Sequence, residues 1–350
     1  MKEALFYEGF GREGVRCTLC PHECRIAEGA VGLCGVRKNI GGRLYALTYQ
    51  RVASVAVDPV EKKPLYHFYP GSTVYSIGTL GCNLRCKHCQ NWKLSRGDAD
   101  SDGARLTELS AVDLISSAQE RGCTSIAWTY NEPSIWLEYV LEGARLAHQR
   151  GLRTILVTSG MINPGPLELL IREIDAYRLD VKGFSEELYV RLTGSRVLDR
   201  VLENAVIARE AGAHVEIVTN IIPNWNDSDA ELAGLSKWIA NDLGVDTPWH
   251  VTAYYPAYQM HEPPTPRATL ERAGKIGAES GLSYIYVGNI PGHQGQNTRC
   301  PTCGCILIER TGPRVRKQHL AFGKCEHCGR GIGTYCDSDT PFEKNEMEKR

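Results

Sequence analysis

Three cysteines lie within one run of nine residues, Gly81–Cys89, at the spacing Cys-x3-Cys-x2-Cys. A structural [4Fe–4S] cluster is bound by four cysteine thiolates. Thiolates from Cys82, Cys86 and Cys89 would hold three corners of such a cluster and leave one iron open, much as a catalytic zinc keeps one position free. The run therefore predicts a reactive cluster rather than a structural one.

A zinc knuckle and a redox disulfide are the alternatives for this run. Zinc knuckles favour paired Cys-x2-Cys units, and the next cysteine, Cys123, lies far downstream. The spacing, with the aromatic His88 just before the last cysteine, resembles the signature of the radical S-adenosylmethionine superfamily. The resemblance implies that the open iron chelates S-adenosylmethionine, and that one electron then breaks a carbon–sulfur bond to give a 5′-deoxyadenosyl radical.

The bulk composition limits the classes of function. The chain has 350 residues, more than one hydrophobic core usually serves, and a formal net charge of −1. No basic excess indicates nucleic acid, and no stretch is long and apolar enough to span a bilayer. Residues Met1–Glu8 lack the apolar region of a signal peptide. We therefore expect a cytoplasmic protein with no membrane span and no nucleic-acid partner.

The chain contains 14 cysteines, which in a reducing compartment indicate metal ligands rather than disulfides. Four lie in the segment Cys17–Cys34, three form the central run, and six lie between Cys300 and Cys336. Cys123 stands alone in an apolar stretch, and we predict that it is a small buried core residue.

Short apolar strands alternate with amphipathic helices between residues 74 and 288, which is typical of parallel β/α units. Serine caps, Ser110 with Asp113 and Ser228 with Glu231, mark two of the helices. Six or seven units are too few for a closed eight-fold barrel, so we predict an α/β fold with a partial (β/α)6-type barrel. The predicted strands are Val74–Thr79, Thr124–Thr129, Thr154–Thr158, Tyr177–Val181, His214–Asn220, Trp249–Tyr254 and Tyr284–Val287.

The two ends of the chain differ from this central pattern. Residues 1–72 are predicted to form a small β-rich unit that binds metal through four cysteines, and residues 73–291 the barrel. Residues 292–350 are predicted to form a zinc-ribbon-like module, followed by a charged, loose tail from Asp337.

Polar residues follow the second predicted strand. The carboxyl ends of strands carry the chemistry in parallel β/α folds, and the cysteine run follows the first strand directly. The amide of Asn131 and the carboxylate of Glu132 are therefore predicted to bind the ammonium of the cosubstrate. The alternative is a helix start, with Pro133 in the first turn and Asn131 or Glu132 as cap.

The third and fourth strands end in Thr158-Ser159 and in Asp180-Val181-Lys182. These runs resemble Thr-Asn-Gly and Asp-Leu-Lys runs of glycyl-radical activating enzymes. The resemblance implies contacts to the carboxylate or ribose of the cosubstrate. Asp180 and Lys182 point to the same side of a strand, so a buried ion pair is the alternative.

Two more candidates lie on later strands. Asn220 ends the fifth strand, where it can either hydrogen-bond the cosubstrate or cap a turn. His250 begins the sixth strand and is either a residue of the substrate side or a structural histidine.

The C-terminal module carries two Cys-x2-Cys-Gly knuckles about twenty residues apart, a zinc-ribbon signal. A glycine after the second cysteine permits the tight turn that points backbone amides at sulfur, which favours these cysteines over Cys305 and Cys336. We expect zinc, with mononuclear iron as the alternative. The predicted ligands are Cys300, Cys303, Cys325 and Cys328.

The N-terminal cysteines have the spacing Cys-x2-Cys-x3-Cys-x9-Cys. Four thiolates can close a structural zinc site or hold a fully ligated auxiliary iron–sulfur cluster, and the sequence does not decide between them. His22 is an outside candidate ligand. The four cysteines are Cys17, Cys20, Cys24 and Cys34.

Over nearly its whole length, the chain also resembles the radical enzyme of the AmmeMemoRadiSam system. This resemblance implies a relationship to pyruvate formate-lyase activating enzymes. It also implies a six-stranded radical core with extra strands, Memo-like and AMMECR-like partner proteins, and an electron donor such as ferredoxin or flavodoxin. The matching runs are Cys17–Cys24, Gly32–Arg37, Gly81–Cys89, Tyr130–Pro133, Pro256–Tyr258, Tyr286–Asn289 and Cys300–Cys303.

Three functions are consistent with this sequence. The first is a radical enzyme that acts on a small molecule or lipid, and the second is an activating enzyme that installs a glycyl radical in a partner protein. Activating enzymes usually carry extra cluster cysteines after the radical motif, and Asn91–Asp113 contains none, which favours the first. The third, a metal-dependent adaptor without activity, conflicts with the open-iron motif.

Overall fold

The computed structural model describes residues 1–102 and 106–333. Cys336 and the tail from Asp337, on which two sequence predictions fall, lie outside the described residues. Among the described helices, none combines the length and the apolar character that a bilayer crossing requires.

The N-terminal segment folds into small antiparallel sheets. Its strands are β1 (Lys2–Glu3), β2 (Tyr7–Phe10), β3 (Gly14–Cys17), β4 (Arg25–Ile26), β5 (Arg37–Ile40), β6 (Arg43–Ala46) and β7 (Arg51–Val52). The first six form two three-stranded sheets, in the orders β1-β6-β5 and β2-β3-β4. The predicted ligand Cys17 ends β3, so the N-terminal cysteines lie at the edge of this β-structure.

An eight-stranded sheet forms the centre of the molecule. The strands that follow along the chain are β8 (Ser54–Pro59), β9 (Thr73–Gly78), β10 (Thr107–Glu108), β11 (Ser125–Trp128), β12 (Arg153–Thr158), β13 (Ala176–Asp180), β14 (His214–Ile221), β15 (Trp249–Ala253) and β16 (Ile285–Gly288). β10 pairs with β7, and the others form the sheet in the order β8-β9-β11-β12-β13-β14-β15-β16.

The strands from β9 to β16 in this sheet run parallel, and β8 lies antiparallel to β9 at the edge. All seven predicted strands are confirmed, with bounds that shift by no more than one residue at either end. Their runs are almost fully buried, as expected where helices and loops cover both faces of a parallel sheet. Within the described residues the outer strands β8 and β16 do not pair, so the barrel is open.

Helices connect the strands. They are α1 (Trp92–Ser95), α2 (Ala111–Glu120), α3 (Leu137–Gln149), α4 (Pro164–Ile171), α5 (Glu186–Thr193), α6 (Leu198–Glu210), α7 (Asp229–Trp238) and α8 (Arg267–Glu279). Both predicted caps are confirmed, because Ser110 Oγ accepts from the Asp113 amide at 3.1 Å and Ser228 Oγ from the Glu231 amide at 3.3 Å. Each cap satisfies an amide that the helix leaves unpaired.

The segment between β8 and β9 closes the amino-terminal end of the sheet. Its side chains Val60, Leu65 and Phe68 are buried. They belong to one apolar cluster with residues of four strands, Val74, Ala127, Ile155 and Ala176.

A buried carboxylate anchors the same end. Glu216 on β14 accepts hydrogen bonds from the backbone amides of Tyr66 and His67 at 2.8–3.0 Å. It also bonds His214 at 2.8 Å and His250 at 2.6 Å. Although burial opposes ionisation, the two histidines hold the pKa of this carboxyl well below its ordinary value. Glu216 is therefore a charged anchor between the sheet and the closing segment.

The C-terminal module packs on this end of the sheet. Its strands are β17 (Thr298–Arg299), β18 (Ile306–Thr311), β19 (Arg314–Gln318), β20 (Leu320–Ala321) and β21 (Lys324–Cys325). Leu307 and Ile308 share a small core with Tyr66, Tyr284 and Tyr286. The module therefore shares a core with β16 and with the closing segment that follows β8.

Arg310 on β18 is the polar link across this contact. Its side chain is fully buried, with Nε 3.5 Å from Glu61 Oε1, and Nη2 donates to the Tyr66 carbonyl at 2.8 Å. The guanidinium also lies 4.1 Å from the centre of the Tyr66 ring and donates to Thr298 Oγ1 at 2.8 Å. The charge and the hydrogen-bond donors of Arg310 thus have partners both in the closing segment and in the C-terminal module.

We predict that Arg310→Ala destabilises the protein by about 3–5 kcal/mol, because it leaves the Glu61 carboxylate buried and unpaired. Arg314→Ala, on the exposed start of β19, is the matched control and should change stability by no more than about 0.5 kcal/mol. Urea denaturation followed by circular dichroism measures both. Equal midpoints for the two variants would contradict the anchoring role of Arg310.

Candidate functional site

The predicted cysteine run lies at the carboxyl end of the central sheet, directly after β9. We call Thr79–Cys89 the cysteine loop. The thiols of Cys82 and Cys86, and those of Cys86 and Cys89, lie near enough to oppose each other's ionisation. Burial raises the pKa of the Cys86 thiol to about 11 and that of Cys82 further. These thiols therefore need a bound cation to become thiolates at neutral pH.

Asn131 fixes the start of the cysteine loop. Its Nδ2 donates to the Gly81 carbonyl at 2.9 Å, and its Oδ1 accepts from the Thr79 amide at 3.2 Å. Gly81 has a φ of +85°, and a Cβ there would lie 2.3 Å from the Cys34 carbonyl oxygen. Only glycine satisfies both conditions, so the loop can approach the N-terminal cysteine group closely. Asn131 thus connects the ends of β9 and β11 through the loop backbone.

Glu132 is enclosed by protein donors. Its Oε1 accepts from Thr158 Oγ1 at 2.6 Å and from the Ser134 amide at 3.1 Å. Its Oε2 accepts from the Ser159 amide at 2.8 Å and from Ser159 Oγ at 2.6 Å. A carboxylate offers about four lone-pair positions, and all are engaged. The structure brings Glu132, Thr158 and Ser159 together, but an ammonium could reach the carboxylate only by displacing one of these donors.

Asp180 and Lys182 form an ion pair of 3.5 Å at the end of β13, and Arg178 bonds Asp180 at 2.7 Å. Although burial opposes charge, Arg178 and Lys182 lower the pKa of Asp180, and Asp180 and Cys86 raise that of Lys182. Asp180 and Lys182 thus form an ion pair that is partly buried, with 34% and 13% of their side chains exposed. Because Lys182 also acts on Cys86, the pair stands beside the cysteine loop.

His88 is buried next to this ion pair. Burial, helped by the Lys182 charge, lowers the pKa of His88 to about 3, so the imidazole is neutral. Its Nδ1 is buried and has no hydrogen-bond partner among the described residues. A buried polar atom without a partner is costly, and here it marks an acceptor or donor that a bound molecule can satisfy.

Asn220 and His250 lie on the neighbouring strands β14 and β15, two positions apart in register. Asn220 ends β14 at the carboxyl edge, where its Nδ2 donates to the Thr252 carbonyl at 3.2 Å. His250 begins β15 and bonds Glu216 at the amino-terminal end. The His250 side chain therefore belongs to the buried anchor around Glu216.

The sequence analysis did not identify two residues at the site, Arg96 beside the cysteine loop and Asn83 within it. Arg96 donates to the Leu84 carbonyl, while its Nε and Nη1 are buried without partners among the described residues. Its positive charge lowers the pKa of both Cys82 and Cys86, against the larger effect of burial. Nothing in the local sequence distinguishes this arginine from a surface one.

The loop that contains Pro256–Tyr258 borders the open side of the site. The Gln259 amide donates to the Lys87 carbonyl at 3.0 Å. The Tyr258 ring stacks on Trp92 with centroids 5.3 Å apart. Tyr255, predicted to mark the rim, is 40% exposed. This aromatic border lies beside the last residues of the cysteine loop.

The C-terminal knuckles form a tight four-cysteine group. Their Sγ atoms all lie within 4.8 Å of one another. Gly304 and Gly329 each have a φ of +74°, and their amides donate to the carbonyls of Cys300 and Cys325 at 2.9 and 2.8 Å. The predicted choice of cysteines over Cys305 is confirmed. The sulfur distances are 3.5 Å for Cys300–Cys328 and 3.7 Å for Cys303–Cys325.

The N-terminal cysteines line one common pocket. Leu19, Ile26 and Ile135 give it apolar walls, and Asn83 and His22 contribute polar groups. The four cysteines on this cavity are Cys17, Cys20, Cys24 and Cys34.

Comparison with known proteins agrees with this geometry. The Radical SAM superfamily profile matches residues 76–235. An uncharacterized protein of Methanocaldococcus jannaschii is 39% identical over 335 residues, covering 95% of this chain and 99% of its own. A second protein of that organism, named for glycyl-radical enzyme activation, is 28% identical over 181 residues, 50% of this chain and 65% of its own.

A crystal structure described as a domain of pyruvate-formate lyase-activating enzyme from Bacteroides vulgatus aligns with 47% of this chain and 99% of its own. The identity is 15% and the TM-score 0.42. At this identity and this TM-score, the similarity does not indicate a function.

We predict that Glu132→Gln lowers iron retention and destabilises the protein by about 1–3 kcal/mol, because an amide group would face the Ser134 or Ser159 donors. Glu168→Gln, the same change on the exposed face of α4, should have neither effect. Iron analysis after anaerobic reconstitution and thermal unfolding measure both. Full iron content with unchanged stability would contradict this structural role of Glu132.

We predict that Cys325→Ser releases one metal ion and unfolds the C-terminal module, since so short a segment depends on its metal for folding. The iron of the cysteine loop should be retained, because the module packs at the opposite end of the sheet. Metal analysis and limited proteolysis test this, with Cys305→Ser as control. Retained metal at this site would contradict the four-cysteine assignment.

Proposed function

The chain belongs to the radical S-adenosylmethionine superfamily, and we propose that it cleaves S-adenosylmethionine and uses the 5′-deoxyadenosyl radical on a small-molecule or lipid substrate. The observation that carries this proposal is the position of the cysteine loop. It places Cys82, Cys86 and Cys89 at the carboxyl end of an open parallel sheet, where such folds carry their chemistry.

The cysteine loop fits an iron–sulfur cluster with one open corner. Three thiols supply three of the four ligands that a closed cluster requires. Lys182 and Arg96 lie near these thiols, and their positive charge favours the thiolate form. When bound, the cluster supplies the electron that breaks a carbon–sulfur bond of S-adenosylmethionine.

The hydroxyls beside Glu132 are suited to the cosubstrate's ammonium. Thr158 and Ser159 each donate their hydroxyl proton to the carboxylate. Each hydroxyl oxygen then keeps lone pairs that can accept from a cation. In this proposal Glu132 is a positioning residue that turns these oxygens toward the ammonium, and its own charge balances the cation at short range.

His88, Lys182 and Asn220 supply the remaining polar contacts in our proposal. The buried Nδ1 of His88 has no hydrogen-bond partner among the described residues, so a nucleoside group beside it would satisfy that atom. Lys182 can reach a carboxylate at the cost of its 3.5 Å contact with Asp180. Asn220 borders the same end of the sheet from β14.

We further propose that the chain is the radical enzyme of an AmmeMemoRadiSam system and acts in the cytoplasm. The sequence runs that resemble this group support it, as does the identity over almost the full length with the first methanogen relative. The partners would be Memo-like and AMMECR-like proteins and a ferredoxin or flavodoxin.

The close sulfur spacing of the C-terminal knuckles supports zinc at that site.

Activation of a glycyl-radical enzyme is the second candidate function. The similarity to the M. jannaschii protein named for that activity favours it. The two functions differ in the size of the substrate. An anaerobic cell extract can be separated by ultrafiltration, and the fraction that stimulates 5′-deoxyadenosine formation identifies the class. Stimulation by the small-molecule or lipid fraction supports the first function, and stimulation by the protein fraction alone overturns it.

We predict that the reconstituted, dithionite-reduced protein converts S-adenosylmethionine to 5′-deoxyadenosine, or to an adenosyl adduct. Cys86→Ala should abolish this product, because two thiolates cannot hold the cluster. Cys123→Ala is the matched control, since Cys123 is a buried core residue apart from all three cysteine groups. Liquid chromatography with mass detection measures the product. Unchanged turnover in the Cys86→Ala protein would contradict the assignment.

A further inference from the structure

The N-terminal cysteines are spaced differently from the C-terminal knuckles. In residues 1–102 and 106–333, only the C-terminal group brings three or more candidate ligand atoms all within 4.8 Å of one another. The N-terminal four line one cavity without reaching that spacing. The two four-cysteine sites of this chain are therefore not copies of one another.

Zinc and an iron–sulfur cluster require different sulfur spacings. Four thiolates on one zinc, each at about 2.3 Å, place their sulfurs about 3.8 Å apart. The C-terminal pairs at 3.5 and 3.7 Å match this value. In a cubane each thiolate binds a different iron, so the sulfurs lie farther apart. Within the described residues, neither the cysteine loop nor the N-terminal group brings three ligand atoms within 4.8 Å of one another, so neither has the spacing of a single zinc site.

The N-terminal cavity also adjoins the cysteine loop. His22 Nε2 donates to the Asn83 carbonyl at 2.7 Å. The Asn83 side chain lines the same pocket as Cys20. Asn83 is the neighbour of Cys82 in sequence, so one residue borders both cysteine groups.

A second contact joins the two groups from the other side. The Cys34 carbonyl packs against Gly81 so closely that a Cβ there would lie 2.3 Å from it. Arg85 donates to the Leu33 carbonyl and carries its charge near the thiols of both Cys34 and Cys82. The backbones of the two cysteine groups thus pack directly against each other at Cys34 and Gly81.

We propose that Cys17, Cys20, Cys24 and Cys34 hold an auxiliary [4Fe–4S] cluster that exchanges electrons with the cluster of the cysteine loop. Four thiolates leave no iron open, so this site takes no substrate. One electron from a ferredoxin- or flavodoxin-type donor reduces the N-terminal centre and then passes to the cysteine loop, and no atom is transferred. The electron-relay role rests on the proposed function, whereas the identity of the metal centre bound by the N-terminal cysteines does not.

The first test uses a variant in which Cys82, Cys86 and Cys89 are all replaced by Ala. Prepared anaerobically with ⁵⁷Fe, it should retain about four irons per chain and the zinc of the C-terminal knuckles. Its Mössbauer spectrum should be that of a single [4Fe–4S] cluster. A variant that holds zinc in place of this iron overturns the proposal.

The unmodified chain gives a second measurement that does not depend on the folding of the variant. It should contain about eight irons as two clusters, and about four irons with additional zinc would overturn the proposal. Cys123→Ala is the control and should match the unmodified chain. Cleavage of S-adenosylmethionine by a protein with zinc at the N-terminal site would refute only this inference. Two clusters without cleavage would refute only the proposed function.

Adjacency of the clusters is tested by electron paramagnetic resonance. In the fully reduced chain, two neighbouring paramagnetic clusters should broaden or split each other's signals. The triple alanine variant, with one cluster, should give a simple unsplit signal. If the signal of the unmodified chain equals the sum of two independent clusters, the electron-relay role is overturned.

Discussion

The cysteine loop depends on hydrogen bonds from segments that are distant in sequence. Asn131 at the end of β11 holds its start, His22 of the N-terminal unit holds its middle, and the Thr193 carbonyl at the end of α5 accepts from the Arg85 amide at 2.9 Å. A cluster with one open iron needs three thiolates at fixed positions. These backbone contacts provide that rigidity before any metal binds.

Chemistry and stability are divided between the two ends of the sheet. The carboxyl end carries the thiols, the cations Lys182 and Arg96, and the buried polar groups around Glu132. The amino end carries Glu216 and Arg310, whose partners are satisfied and buried. This division is general in parallel β/α folds. Here it lets the C-terminal module stabilise the sheet without contacting the reactive groups.

The sequence predicted the framework well because its signals are local. Seven strands followed from apolar runs, two helix starts from serine caps, and the C-terminal metal group from a glycine that follows each second cysteine. The position of His250 was predicted less well. A residue near the start of a parallel strand lies toward the end opposite the chemistry, and the bond of His250 to Glu216 favours the structural alternative.

Other features depend on contacts that no local pattern records. Thr158 and Ser159, at the end of a different strand, donate hydrogen bonds to the Glu132 carboxylate. We therefore propose a positioning role for Glu132 in place of the predicted direct contact with the ammonium. Arg96 and Arg310 look like ordinary arginines in sequence, and only the fold brings Arg96 to the cysteine loop and buries Arg310. The metal of the N-terminal group was undecided because spacing along a chain does not give the distances between sulfurs.

Electron paramagnetic resonance of the cysteine-loop cluster tests directly whether one of its irons lacks a protein ligand. The spectrum of the dithionite-reduced protein is recorded with and without S-adenosylmethionine at low temperature. If Cys82, Cys86 and Cys89 leave one iron open, the cosubstrate binds that iron and shifts the g values of its signal. Identical spectra with saturating S-adenosylmethionine would contradict the account.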